Sequence, residues 1–461
     1  MAYVTVYPVE NKVDLIRNPC MGWVLYIDAF EGGFPEARAY WALQQNNAAK
    51  ASIFYVRLPW SIVEPQEGKY AWDEDPNFKL LIQMALERGL RLAFRVYVDS
   101  RDAFIQATPQ YVFDAGAEGY ANHEKHSSFL TPYLYDQVFQ EKLTRFIEAF
   151  ARQYDDPSVV DFIDAQGLGW WGEMHNVNYL TASQRKQVFE WITNVYSSNF
   201  KRVLLGAQYG ENSFELPLQD WALREKGYMI RRDSFGSPVW FIEEHKDKIR
   251  SHWPNVPVFA ENCYHGFAGR PEWYQEDGFA TLRDMMEKVV SDAEELHANT
   301  LDLRYPEDAT LWTETAPDLV QRFAVNGGYR LALSSIEYPE EAAAGEDYLI
   351  SHVWTNSGVG IIPNRLRNWD YKYKPAFALL DEATHTPVLR IIDAAEPSDW
   401  FQGRSCGYRT PVSFEGVPAG KYLLAAAIVN RDNGFKPEIG LAIDNEKTSD
   451  GWYILGRLAV R

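Results

Sequence analysis

The stretch ASIFYVRLPWSIVEPQEGKYAWDEDPNFKLLIQMALERGLRLAFRVYVDS (51–100) decides the fold. Two short runs of β-branched and aromatic residues, at 51–58 and 90–98, bracket FKLLIQMALER (78–88). The apolar residues of that middle segment recur at helical spacing and stop at Gly89. A strand apolar on both faces, an amphipathic helix and a second such strand make one parallel crossover unit. Working outward, the unit recurs. Comparable runs lie at 22–27, 159–166, 202–208, 228–233, 256–261 and 299–304, which brings the count to eight. Helical patterns fill the gaps at 136–154, 185–196 and 282–296. TASQ (181–184) reads as a capping box, with Thr181 at the N-cap and Gln184 three residues on. Eight such repeats predict an α/β chain whose residues 12–325 form a (β/α)8 TIM barrel rather than a doubly wound sheet.

Beyond about residue 325 the helical periodicity fades. Short strands are predicted at 329–337, 348–355, 376–381, 388–393, 412–414, 421–429, 438–444 and 453–460, punctuated by turns such as VPAG (417–420) and NG (433–434). Residues 326–461 therefore read as an antiparallel β-sandwich. The connection carries one helix-like piece at 318–325.

Composition narrows the function. Acidic residues number 64 against 45 basic ones, a net charge of −19. Such a field repels a phosphate backbone, and no Lys/Arg run offsets it, so no nucleic-acid partner is expected. Cys20, Cys263 and Cys406 are odd in number and far apart, which suits neither a disulfide framework nor a CxxC metal site and fits a reducing compartment. The start MAYVTVYPVENK lacks a basic segment followed by an apolar one. The protein is thus expected to be cytoplasmic, or exported with its signal already removed. No apolar stretch approaches the ~18 residues of a membrane span, so no membrane partner is expected. Aromatic residues make up 15% of the chain. They can form a large core, or stack on the apolar faces of sugar rings.

In a (β/α)8 barrel the chemistry sits at the C-terminal ends of the strands. Two glutamates stand out there. Glu173 lies in GLGWWGEMHN (167–176), just past the fourth strand, and Glu261 ends the seventh in PVFAEN (257–262). Strands four and seven lie on opposite sides of the barrel, so the two carboxyls can face each other across its mouth. Glycosidic cleavage needs this pairing: one acid protonates the leaving oxygen, and one carboxylate attacks the anomeric carbon or activates water. Burial against Trp170 and Trp171 is expected to raise the Glu173 pKa, while Arg57 or Arg231 beside Glu261 would keep it ionised. Stacking candidates are Trp60, Trp171, Tyr209 and Tyr264. Tyr97, Asp99, His175, Arg231, Asp233 and Arg57 are the polar candidates for substrate contact.

Plainer readings stand beside these. Glu173 also suits a helix N-terminus, and Glu261 a buried ion pair. Asp233, in RRDSFG, suits an ion pair with its neighbouring arginines. Asp99 and Asp102 suit loop capping. His175 and His265 have no second His at ligand spacing, so no metal is expected, and no organic cofactor. GxSxG, P-loop, first-strand GxGxxG and HExxH motifs are absent.

The segment RLPWSIVEPQEGKYAWD (57–73) resembles the second-strand signature of retaining glycosidase barrels such as the family 42 β-galactosidases of clan A, with an Arg, a Trp and then a Glu-Pro, Gly and Tyr loop. RNPCMGW (17–23), GWWGEMH (169–175) and NGGYRLALSSIEYP (326–339) are similar to marks of a little-characterised group of glycosidase-like barrels with a C-terminal β-sandwich, the domain of unknown function 4832. That resemblance covers nearly the whole chain. It implies a glycoside hydrolase acting on an oligo- or polysaccharide, with Glu173 as acid/base and Glu261 as nucleophile in a retaining double displacement. One position departs from the pattern: Gly172 stands where the better-known enzymes carry the Asn that bonds the sugar 2-hydroxyl. Asn176, His175 and Gln208 are the candidates to replace it. Rival readings are a non-catalytic carbohydrate-binding protein, and an inverting hydrolase or polysaccharide lyase using Asp233 or Glu211 as base. Nothing in the sequence fixes the oligomeric state.

Overall fold

A computed structural model describes residues 2–28, 34–266 and 270–461. Eight parallel strands close on themselves: β1 (Gly22–Ile27), β2 (Ile53–Pro59), β3 (Arg91–Tyr97), β4 (Val160–Asp164), β5 (Leu204–Gln208), β6 (Met229–Phe235), β7 (Val258–Asn262) and β8 (Ala298–Arg304). Neighbours in the chain are neighbours in the sheet, and β8 pairs with β1 through Thr300 and Gly22 to shut the ring. This is the expected (β/α)8 barrel.

Alternation along each strand sorts the side chains. In β2, Phe54 packs outward against Tyr40 and Trp41 of the helix Ala37–Leu43. Tyr55 and Arg57 point inward. The barrel interior begins with apolar rings, where Phe162 stacks on Phe259 at 4.1 Å and Tyr26 lies 4.5 Å from Tyr55. One pleat further toward the C-terminal ends it becomes charged. Helices cover the outside. Thr181 and Gln184 form the capping box that starts the helix Ala182–Asn199. The linking segment holds two helices, Pro306–Thr315 and Pro317–Asn326, where one was expected; Pro317, which removes a backbone donor and disfavours helical geometry at Ala316 before it, divides them.

The second compact unit comprises the chain before Gly22, Ala324–Arg365 and Trp369–Arg461, whereas residues 366–368 belong with the barrel. Residues 12–21, read from sequence as barrel, therefore group with the sheets. The reason is long-range contact: Arg330 Nη1 donates to the Asp14 carbonyl at 2.9 Å and Asn18 Nδ2 to that of Gly440 at 3.0 Å, while upstream Tyr3–Val6 adds as an antiparallel strand to Leu331–Pro339. One sheet of this unit contains Tyr3–Val6, Leu331–Pro339, Asp347–Asn356 and Ser405–Ser413. The other centres on Gly420–Asn430, flanked by Tyr373–Asp381 and Tyr453–Val460. Both are antiparallel except for the short Glu341–Ala342 pairing with Tyr453–Val460. Ala376, Ala378, Leu380, Ala425, Ala427 and Val429 cluster with Trp452 in an apolar core. His352 of the first sheet meets Phe377 of the second at 4.9 Å. No disulfide joins the cysteines. Among the described residues no helix is long and apolar enough to cross a membrane.

Candidate active site

A cavity of about 920 Å³ opens at the C-terminal mouth of the barrel, lined by Trp170, Trp171, Trp240 and Trp273 and by both Glu173 and Glu261. Beneath it lies a network of buried charge. Arg57 Nη2 is 3.2 Å from Glu173 Oε1, and its Nη1 is 3.8 Å from Glu261 Oε1. Arg231 Nη2 bonds Glu261 Oε2 and lies 3.7 Å from Glu173 Oε1. The two carboxylates therefore share two guanidinium groups. Arg95 adds a 3.1 Å contact to Glu173 and is itself held by Asp164 at 2.5 Å. Arg304 Nη1 reaches Glu261 Oε1 at 2.8 Å, and the Tyr26 hydroxyl donates to Glu261 Oε2 at 3.0 Å. Strand alternation builds this: Arg57, Arg95, Asp164, Arg231 and Glu261 each sit on the inward parity of their own strand.

The charges reverse one expectation. Burial pushes the Glu173 pKa up, but Arg57, with Arg231 and Arg95, outweighs both burial and the adjacent Asp233, and the carboxyl ends below its ordinary value. The tryptophans next to it in sequence do not set its ionisation; three cations do. Asp233 behaves alike. Burial alone would raise it, yet Arg232 and Arg231 carry it well down. Asp99 is the opposite case: burial pushes it up to about 7 against hydrogen bonds from Thr131 and Ser100. Burial and the cations Arg304, Arg57 and Arg270 hold His265 well below the ordinary histidine range, so its ring is neutral at pH 7.

The loop carrying Glu173 runs through the left-handed region repeatedly, at Gly167, Gly169, Trp171, Gly172, Met174 and Asn176. Its backbone is pinned by Trp171 N–H donating to the Asp99 carbonyl at 2.9 Å and Trp170 N–H to that of His175 at 3.2 Å. Gly172 has φ +71°, and a Cβ there would lie 2.9 Å from Tyr97 Cβ and 3.2 Å from Gly167 Cα. This close approach accounts for the departure from the glycosidase pattern: an asparagine has no room at 172.

Of the residues singled out from sequence, Arg57, Trp171, Glu173, His175, Asp233 and Glu261 line the cavity, and so do Asp102, Trp170, Asn176, Glu211 and His265. Arg231 lies just below, touching both glutamates. Trp171 is held by its Nε1–H donating to Asp102 Oδ1 at 2.8 Å. Trp60, Tyr97, Asp99, Tyr209 and Tyr264 do not line it. Trp60 is fully buried, bonds Glu64 and packs on Phe146. Tyr97 is buried and donates to Asp28. Asp99 braces its loop through Thr131 and Ser100. Tyr209 bonds Asp220 and His252, and Tyr264 bonds Asp277. The physical reason is parity: Gln208 points in toward Arg231, so Tyr209, one residue on, points out.

No family model matches this chain. No curated protein matches it either. Among solved structures it is similar to endo-glycoceramidase II from Rhodococcus sp., with 10% identity, 87% of this chain and 99% of that one covered, and a TM-score of 0.44. A β-galactosidase from the psychrophilic Marinomonas ef1 gives 10% identity over 69% and 63% of the two chains, with a TM-score of 0.42. The catalytic domain of a β-amylase from Paenibacillus polymyxa gives 9% identity over 62% and 93%, with a TM-score of 0.41.

Ligand atoms of Glu173, His175 and Asp233 lie within 4.8 Å of one another, the one such grouping among the described residues. A cation placed there would face the guanidinium groups that already hold Glu173 and Asp233. Sequence reasoning passed over Arg95, Trp240 and Trp273, and it placed Asn262 and Arg304 at strand ends without giving them a role. Arg95 was accessible in principle, being two residues before Tyr97 on the inward parity of β3. The loop residues Trp240 and Trp273 carry no periodic signal.

Proposed function

We propose that the barrel is a glycoside hydrolase acting on an oligo- or polysaccharide, with Glu173 and Glu261 as its catalytic pair. The observation that carries this reading is their convergence: carboxylates 88 positions apart in sequence share Arg57 and Arg231 at the base of one tryptophan-walled cavity. The resemblance of 57–73 to retaining glycosidase barrels agrees with it. A single nitrogen, Arg231 Nη2, contacts an oxygen of each glutamate. The retaining assignment follows the resemblance of 57–73, and it expects the two carboxyl groups ~5–5.5 Å apart rather than the ~6.5–9.5 Å an inverting pair leaves for water.

In this mechanism a Glu261 oxygen attacks the anomeric carbon as the bond to the leaving oxygen breaks and Glu173 gives that oxygen its proton. Water then hydrolyses the glycosyl ester, with Glu173 taking back a proton. Arg231, Arg304 and Tyr26 orient the nucleophile. Because the arginines depress the Glu173 pKa, the acid form is populated at acidic pH, and kcat/KM falls about tenfold per pH unit above that pKa. A panel of aryl glycosides tests the reading. Glu261→Gln and Glu173→Gln should each lower turnover of any hydrolysed member by ~1000-fold or more. Full turnover in either variant removes that residue from the mechanism.

A further inference from the structure

We propose that the corner of the cavity formed by the β7 loop binds a sugar-borne oxyanion, a carboxylate or a sulfate ester, so that the substrates of the proposed hydrolase are acidic glycosides. This rests on the hydrolase reading for its setting. Asn262 is 1% exposed and lines the cavity directly after Glu261. Its amide is fixed from several sides. Oδ1 accepts from Tyr264 N–H at 2.9 Å, its own N–H donates to Asp302 Oδ1 at 2.6 Å, and its carbonyl accepts from Arg304 Nη1 at 3.0 Å. Its Nδ2 has no partner. A buried donor left unmet costs about 1–3 kcal/mol, so it marks a place where a ligand acceptor belongs.

The surroundings define that acceptor. His265 and Arg270 line the same cavity, with Trp273 forming a wall 5.1 Å from the His265 ring. Arg57, Arg270 and Arg304 line the cavity together with His265. Arg57 and Arg304 are committed to Glu261 and its neighbours. Among the described residues Arg270 has no carboxylate partner. His265 Nδ1 is also buried and unpartnered. The corner thus offers a cation without a carboxylate partner among the described residues, beside a fixed amide donor, on a chain whose net charge is −19. Oxyanions are acceptors only, and paired donors of this kind recognise them well.

The test is calorimetric titration of the whole chain with D-galacturonate, D-glucuronate and galactose 6-sulfate, against galactose and glucose. The charged sugars should bind at least tenfold tighter than their neutral counterparts, and 0.5 M NaCl should erode that margin. Arg270→Gln and Asn262→Asp should each remove it while leaving the neutral sugars unchanged, with thermal unfolding confirming that both variants fold. Preference for uronates over the 6-sulfate assigns a carboxylate, and the reverse a sulfate ester. Equal affinity for charged and neutral sugars, no binding of any, or equal losses for both classes in Arg270→Gln overturns the proposal. Turnover in the Glu173 and Glu261 variants is read separately. A charge preference without turnover sinks the hydrolase and keeps the anion site; turnover without charge preference does the opposite.

Discussion

Inside the barrel mouth, Arg57, Arg95, Arg231 and Arg304 are 2, 0, 3 and 2% exposed and each pairs with a carboxylate. In the second unit, the core around Leu380 and Val429 consists of alanines, branched aliphatics and one tryptophan. The sheets gain stability by removing apolar area from water. The barrel mouth takes ionised groups out of water and recovers the cost only through mutual pairing. An arrangement that expensive persists where chemistry needs fixed charges, which is why perturbed titrating groups mark functional sites. Buried charge elsewhere in the chain is held with help from the surface: Asp292 takes the buried Lys246 and also Lys288, whose side chain is partly exposed.

Arg231→Ala should break the mesh most severely. It strips a cation from Asp164, Glu173 and Glu261 together. We expect a loss of about 3–5 kcal/mol in urea denaturation, with turnover abolished. An apolar-sized loss near 1 kcal/mol would show that water already screens the cluster. Leu380→Ala in the sheet core should cost about 3 kcal/mol through lost area and a cavity, with kcat of the folded protein unchanged. A fall in kcat there would erase the contrast between the regions.

The smallest effect concerns Asp99. Its folded pKa, about 7, lies above its ordinary value, so the folded state binds the extra proton. Stability from this group is therefore full at low pH and declines as pH rises from about 4 to 7, with a slope of at most about 1.4 kcal/mol per unit. Asp99→Asn should flatten that decline in denaturation curves measured across the window. Glu173 and Asp233, whose pKa values lie low, act in the other direction and lose their contribution in acid. An unchanged slope in the variant would assign the decline to another group.

The barrel was legible because eight apolar runs and their helices are local patterns, and strand ends then gave Glu173 and Glu261. What sequence order could not supply was direction. Trp60, Tyr209 and Tyr264 stand at strand ends, yet each turns into packing rather than into the cavity. The irregular register of β7 between Ala260 and Asn262 brings Asn262 to the cavity wall beside Glu261, which strict alternation would forbid. The Tyr3–Val6 strand escaped notice because its partner lies more than 300 residues away. The depressed pKa of Glu173 depends on arginines from three strands, and no window of sequence contains them together.

The cramped backbone at Gly172 has a practical corollary for anyone redesigning this protein. Diversifying the loop uniformly would waste most of a library, because side chains at 167, 169 and 172 run into atoms of Val96, His175 and Tyr97. Productive variation belongs at Trp171, His175 and Asn178, whose side chains already face the open space. Importing the missing asparagine would first require carving room out of Tyr97.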